Sequence, residues 1–297
     1  HDTTECPATP ASVSSRIVSR QGLRLWQRLA VCVLTVVLLA GTGYAAVSIP
    51  EWWDFRSLYT DFLPTTTRSV AIVLGSASVR LDDPDLQTEI DDFIGLSDGV
   101  GAGIFHSLLS ELGNARVTVM TSTDSTAEKA GAEILIGGPS VAPRLREVMS
   151  ALYGVKDPRN LDALTEGFRF RVLPSNKWVS FLSIHATKST KGTMTLGIED
   201  VATGLTCPFD ADSELDTALI VRGTEPDGTP FLAVAGFEQQ ATVAVSGALS
   251  RPGPLVSALT ETFRRHGYAE AVVQVRGNKV ELYDFGEGVQ NPRGRFR

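Results

Sequence analysis

The sequence predicts an α/β domain built on a doubly wound sheet, with an antiparallel β-rich insertion, preceded by one transmembrane helix. Three observations carry this. Leu29–Ile49 runs for 21 residues without a charged side chain, and ~20 residues at ~1.5 Å each span the ~30 Å of a bilayer's hydrocarbon. From residue 69 onward, continuous apolar runs alternate with runs of helical spacing, in the order strand–helix–strand–helix–strand–helix, the pattern of a parallel sheet with helices on both faces. Between residues 168 and 198 the apolar runs become short and alternating, as antiparallel strands do.

Residues 1–28 are rich in Ser, Thr and Pro and read as a disordered basic tail. The span follows. A signal peptide is the competing reading, but the apolar run exceeds the ~7–15 residues of an h-region. Arg16, Arg20, Arg24 and Arg28 precede the span with no acid among them, whereas Glu51-Trp52-Trp53-Asp54 follows it. Basic flanks stay in the cytoplasm, which places the N-terminal tail inside and the C-terminal domain in the extracytoplasmic space. Trp26, Tyr44, Trp52 and Trp53 mark the two interfaces. The bilayer, met through Leu29–Ile49, is thus the first expected partner.

Residues 50–68 read as a juxtamembrane helix and linker. Trp52, Phe55, Leu58, Tyr59 and Phe62 recur at helical spacing and Pro64 ends the run. The α/β domain is expected over 69–287, with 288–297 as a frayed tail. Its first strand is Ser69–Leu74, a continuous apolar run that ends in Gly75-Ser76-Ala77-Ser78. The acidic stretch 80–93 reads as a solvated loop entering a helix at Pro84; it lacks the spacing of a calcium loop. Ser97-Asp98-Gly99-Val100-Gly101-Ala102-Gly103 is a Gly-rich start to the helix Ile104–Leu112, with Ser97 or Asp98 as its cap. Strands follow at Arg116–Met120 and Ala132–Ile136. The latter ends in Gly137-Gly138-Pro139-Ser140 and leads into a helix at Val141–Leu152. The insertion comprises Phe168–Leu173, Trp178–Ile184 and Thr193–Ile198. Asp216–Arg222 and Pro230–Ala235 flank a Glu-Pro-Asp-Gly turn, a hairpin signal. Gly236 closes the second strand. Helices are expected at Glu238–Leu249 and Pro252–His266, and two last strands around Gly277-Asn278.

Hydrophobic residues make up 43% of the chain and charged ones 21%, the balance of an ordinary folded protein. The net charge is −7; four Arg against Asp2 and Glu5 leave +2 on residues 1–50, so the remainder carries −9. An acidic domain repels phosphate backbones, which speaks against nucleic acid as a partner. Cys6, Cys32 and Cys207 lie in three different parts of the chain, so no internal disulfide is expected, and Cys207 reads as a packed small residue. His1, His106, His185 and His266 form no ligand pair, and no metal or other cofactor is indicated.

Ile134-Leu135-Ile136-Gly137-Gly138-Pro139, the run Asp216-Thr217-Ala218-Leu219-Ile220-Val221-Arg222, and Leu232-Ala233-Val234-Ala235-Gly236 together resemble a group of uncharacterised prokaryotic Rossmann-like proteins. In that group a strand ending in Gly-Gly-Pro is followed, after a β-rich insert, by a D-Y-x-L-I-x-R hairpin. The resemblance covers roughly residues 69–250 and implies a Rossmann-like fold but no activity. Thr217 stands where the group has an aromatic residue, and Phe237-Glu238-Gln239-Gln240 where it has a Gly/Thr-rich turn.

Open α/β sheets bind ligands outside the carboxyl ends of their strands. The candidate binding residues are therefore Gly75, Ser76 and Ser78, Ser97, Asp98 and Gly99, Gly137, Gly138 and Ser140, and Gly236 and Glu238. Turns of this kind expose N–H groups that suit a small anionic ligand. Short βα loops require the same small residues for their own geometry. The leading reading is a single-pass, membrane-anchored protein whose domain binds or senses a ligand or protein partner near the membrane. Two alternatives stand beside it. One is a membrane-tethered enzyme on a phosphorylated or nucleotide-like substrate, with Asp98, Glu238 or Asp82 as acid or base. The other is a domain facing the cytoplasm as an effector.

Overall fold

The computed structural model describes residues 31–36, 49–63, 69–75, 77–80, 89–93, 95–113, 116–121, 130–138, 143–153, 167–171, 196–210 and 213–284. Residues 31–36 are helical and exposed; the rest of the expected span, apart from Ile49, lies outside the described residues. Among the described residues no helix is long and apolar enough to cross a membrane. The chain divides into two units, His1–Pro50 and Glu51–Arg297.

The second unit is built on a seven-stranded sheet. Its strands are β1 (Val70–Leu74), β4 (Val117–Thr121), β5 (Ala132–Ile136), β9 (Leu215–Thr224), β10 (Pro230–Gly236), β11 (Ala269–Arg276) and β12 (Lys279–Leu282). The order across the sheet is β12-β11-β9-β10-β5-β1-β4. β4, β1, β5 and β10 pair in parallel, whereas β10–β9, β9–β11 and β11–β12 pair antiparallel, so five strands point one way and two the other. β1 and β5 are buried along their whole length, as central strands covered on both faces must be.

Alternation divides each strand between two cores. Val70, Ile72 and Leu74, with Ile134, Ile136, Leu232, Val234 and Ile220, face one side. There they meet α1 (residues 51–58), α2 (Leu96–Glu111), α4 (Gln239–Leu249) and α5 (Pro254–His266). Ala71, Val73, Leu135, Ala233 and Leu219 face the other side. That side is covered by α3 (Pro143–Tyr153) and by a small antiparallel sheet of β6 (Phe168–Arg171), β7 (Gly197–Asp200) and β8 (Thr206–Pro208). Among the described residues helices therefore lie on both faces, four on one and one on the other, where the small sheet adds to the cover.

Four expectations change. Residues 51–63 do not stand apart from the domain: Phe55, Leu58, Tyr59 and Phe62 are buried in the first core. Tyr59 Oη donates to Leu249 O at 3.0 Å, and Thr260 Oγ1 donates to Asp54 O at 2.9 Å. The apolar face read from the helical spacing is real; what covers it is α4, α5 and the sheet. Second, residues 89–93 are a strand, β3 (Glu89–Phe93), paired antiparallel with β2 (Ala77–Arg80) in a separate ribbon, so Ser78 lies on a strand, as do Glu89, Asp91 and Asp92; residues 81–88 lie outside the described residues. Third, α2 begins at Leu96 with Gly95 as its cap, so the Gly-rich stretch is helix and not the loop before it. Ser97 and Asp98 fall in the first turn, where an acidic side chain suits the helix dipole. Fourth, the third insertion strand expected at Thr193–Ile198 is β7, Gly197–Asp200, and β8 was not foreseen. Trp178–Ile184 lies outside the described residues.

Candidate functional site

The strand order fixes where a crevice forms. β1 has β4 on one side and β5 on the other. α2 follows β1 on one face of the sheet, and α3 follows β5 on the opposite face. The chain thus leaves the carboxyl ends of two adjacent parallel strands in opposite directions, which is the topological switch point of such sheets.

Glycine occupies both strand ends. Gly75 N donates to Ile136 O at 2.8 Å and Gly137 N to Val234 O at 3.1 Å, extending the ladder one residue past the strands. Gly137 has φ +121°, a conformation side chains disfavour. A Cβ there would stand 3.1 Å from Asp98 Oδ2 and 3.3 Å from the Gly75 backbone. A Cβ on Gly95 would stand 3.4 Å from the same oxygen. The Asp98 carboxyl therefore lies in the crevice, between Gly95 and Gly137 and close to Gly75.

Asp98 is only 6% exposed. Its Oδ1 accepts a long, 3.4 Å hydrogen bond from Ser97 Oγ, and no hydrogen bond reaches Oδ2 from the described residues. Burial pushes its pKa up to about 6, with Ser97 pulling weakly the other way. No cationic side chain pairs with it in this group: Gly75, Gly95, Ser97 and Gly137 are neutral. For acid–base catalysis a partner would be needed within ~2.6–3.2 Å, and the side-chain partner of the Asp98 carboxyl among the described residues is Ser97, at 3.4 Å.

α4 starts beside α2. A Cβ on Gly101 of α2 would stand 3.0 Å from Ser246 Oγ and 3.6 Å from Thr242, so glycine gives the two helices room to approach closely. The start of α4 is held by a residue from another element. Asp216, at the foot of β9, accepts hydrogen bonds from Thr217 N at 2.7 Å, Glu238 N at 3.1 Å and Ala241 N at 2.7 Å. It is 2% exposed, and burial lifts its pKa to about 6 against those three hydrogen bonds, aided by the Glu238 charge. Two N–H groups at this helix start, those of Glu238 and Ala241, are thus bonded to a carboxylate of the chain itself. Gly236 serves the same turn: a Cβ would fall 2.3 Å from Thr242 Oγ1 and 2.7 Å from Glu238 O.

The expected residues divide accordingly. Gly75, Ser97, Asp98 and Gly137 come together, and half-buried Gly138 follows them in the chain. Gly236 and Glu238 belong to the α4 turn, where Glu238 is the cap residue and donates its N–H to Asp216. Gly99 points away, with nothing within 4 Å of a Cβ placed there. Ser78 is on β2. Ser76, Ser140 and Asp82 lie outside the described residues. Two features were missed from sequence. Gly95 is one. The other is the capping role of Asp216, whose only signal was a lone acid opening a long apolar strand. Cys207 is fully buried against Thr217 Oγ1 at 3.1 Å, and burial pushes its thiol up to about 12, so it stays protonated.

A cluster of rings stands beyond Gly236. Phe237 stacks on Phe209 at 4.7 Å and lies near-parallel to Phe170 at 6.2 Å, tying the end of β10 to the small sheet. Among the described residues no group of three His, Cys, Asp or Glu is placed to hold a metal ion. No protein-family model, no curated protein and no solved structure matches the chain.

Proposed function

We propose that this is a single-pass membrane-anchored protein whose α/β domain binds a small ligand near the membrane, in the crevice between β1 and β5. The anchor rests on the 21 uncharged residues of Leu29–Ile49 and on the four arginines before them. Membrane integration of the full chain, tested by alkaline extraction of vesicles, is the expected outcome. A reporter joined after Arg297 is expected to be active only where the domain lies outside; activity in the cytoplasm would overturn that orientation.

One observation supports the ligand reading most. The Asp98 carboxyl, on a residue only 6% exposed, stands at the switch point of an open α/β sheet, beside two strand ends that carry no side chain. Labelled full-length protein titrated with mixtures of nucleotides, sugar phosphates, amino acids and amines should show shifts at the Gly75 and Gly137 amides for at least one mixture. Amides that stay fixed throughout would remove the reading.

A further inference from the structure

We infer that the outer face of α1, formed by Trp52, Trp53 and Arg56, is a docking surface for phospholipid headgroups, so that the domain sits on the bilayer and does not swing from it. The inference rests on the anchor reading above and deepens it.

The helix is fixed to the domain on one side. Phe55 is 7% exposed, and Leu58 and Tyr59 are fully buried. Its first turn is pinned to α5, where Arg264 Nη2 donates to Asp54 Oδ1 at 3.1 Å and Thr260 Oγ1 to Asp54 O at 2.9 Å. A helix held this way presents its other side in one orientation. That side carries Trp52, 45% exposed, and Trp53, 62% exposed, packed edge to face at 5.9 Å. The Arg56 guanidinium lies over the Trp52 ring at 5.5 Å from its centre. A surface helix of a water-facing domain needs one apolar side; α1 has two. Two adjacent exposed tryptophans mark a contact surface.

The length of chain before α1 names the contact. Ile49, the last residue of the uncharged segment, stands three positions before Trp52. Three residues reach ~10 Å when fully extended, and the headgroup zone is ~5–7 Å deep on each side of the hydrocarbon. Trp52 and Trp53 are therefore kept at that zone by the anchor, and tryptophan, with an apolar body and one N–H donor, prefers it. Charge agrees with this. Residues 51–297 carry −9, which lipid phosphates repel over the surface at large. At this face Glu51 and Asp54 are matched by Arg56 and Arg264. Arg56 is exposed beside the ring it stacks on, and a guanidinium so placed suits the phosphate common to phospholipids.

The test separates docking from mere nearness. Full-length protein labelled with 5-fluorotryptophan is placed in nanodiscs of phosphatidylcholine and phosphatidylglycerol that include a lipid with a gadolinium-chelate headgroup. A second chain carries a Gly/Ser linker of about 20 residues between Pro50 and Glu51, which lets the domain stand off by ~25 Å. The expected result is that the fluorine lines of Trp52 and Trp53 broaden about twofold or more in both chains. In the linker chain, Trp53→Ser should remove at least half of the broadening at Trp52, and Arg56→Glu at least half at both rings. These side chains are exposed, so the variants should keep the parent's melting temperature. If the lines broaden in the natural chain but not in the linker chain, the anchor alone holds the rings near lipid and the docking surface is overturned. Broadening undiminished by both substitutions overturns it too. If the chain resists alkaline extraction yet neither ring broadens, the docking surface falls and the anchor stands. If the chain is extracted, the anchor reading itself falls and the docking surface with it.

Discussion

Arg222 of β9 and Asp61, 161 residues apart in the chain, form an ion pair at the edge of the first core. The guanidinium is fully buried between the rings of Phe62 and Phe263, at 4.8 and 4.3 Å, and its Nη1 donates to the carbonyls of Gly223 and Phe231. Burial lowers its pKa to about 10, with Asp61 opposing the shift. Removing one partner of a buried pair strands the other and costs ~3–5 kcal/mol, while replacing the charge by an apolar group costs less. Asp61 is 38% exposed, so water softens its loss. Asp61→Ala is expected to destabilise by about 2 kcal/mol. In Asp61→Ala/Arg222→Met the loss should be smaller than the sum of the two single changes. Urea unfolding of the four proteins measures this cycle.

Asp98 and Asp216 set a pH dependence whose sign is worked out from their raised pKa values. Both titrate near 3.8 when unfolded and at about 6 when folded. Between those values the folded chain holds more protons than the unfolded one, so stability falls as pH rises. Each group contributes fully below pH ~4 and has lost its contribution above pH ~6. A shift of this size is worth on the order of 3 kcal/mol per group. Thermal melts from pH 4 to pH 7 should show a falling Tm that Asp98→Asn flattens. The same substitution should raise Tm at pH 7, the mark of a group kept at a cost to stability.

Asp216→Ala removes the acceptor of three N–H groups, two of them buried, without touching the crevice glycines. A lost cap costs ~0.5–2 kcal/mol, and buried orphan donors add to it. A loss of about 3 kcal/mol is expected, read by denaturant unfolding. Faster hydrogen exchange should appear first at Glu238 and Ala241.

Glycine substitutions separate positions that look alike in the sequence. Gly99 and Gly103 face open space on α2, so alanine at either should stabilise by about 0.5–1 kcal/mol. Gly236→Ala meets Thr242 Oγ1 at 2.3 Å and Glu238 O at 2.7 Å, and overpacking against backbone costs ~1–3 kcal/mol or more. Melting temperatures should therefore rise for the first two and fall for the third.

Much of the sheet was legible from sequence because its central strands are continuous apolar runs with glycine at their ends. β1, β5 and the β9–β10 hairpin fall where such runs stand, since a strand buried on both faces leaves little room for polar residues. The crevice was legible in part for the same reason: Gly75, Gly137 and the Ser97-Asp98 pair lie at strand and helix ends. What escaped were relationships between elements. Helical spacing at Phe55, Leu58, Tyr59 and Phe62 reveals a buried face but not its partner. Helix formation through Gly99, Gly101 and Gly103 goes against local propensity, and Gly101 is favoured by tertiary contact with Ser246. The burial of Asp98 and the reach of Asp216 to α4 depend on packing that no local pattern encodes.

The packing of residues 51–63 also bears on how the domain can be excised. A fragment begun at the first strand would keep Arg222 but lose Asp61 and Phe62, and would open a trough along α4 and α5 where Phe55, Leu58 and Tyr59 had been. Each of these side chains is worth ~1.5–3 kcal/mol when buried, so together they rival the ~5–15 kcal/mol by which a domain is stable. Expression from Ser69 should yield aggregated material, and expression from Glu51 a cooperative melt. The usable proteolytic boundary of this protein lies upstream of its first β-strand, against the end of the hydrophobic segment itself.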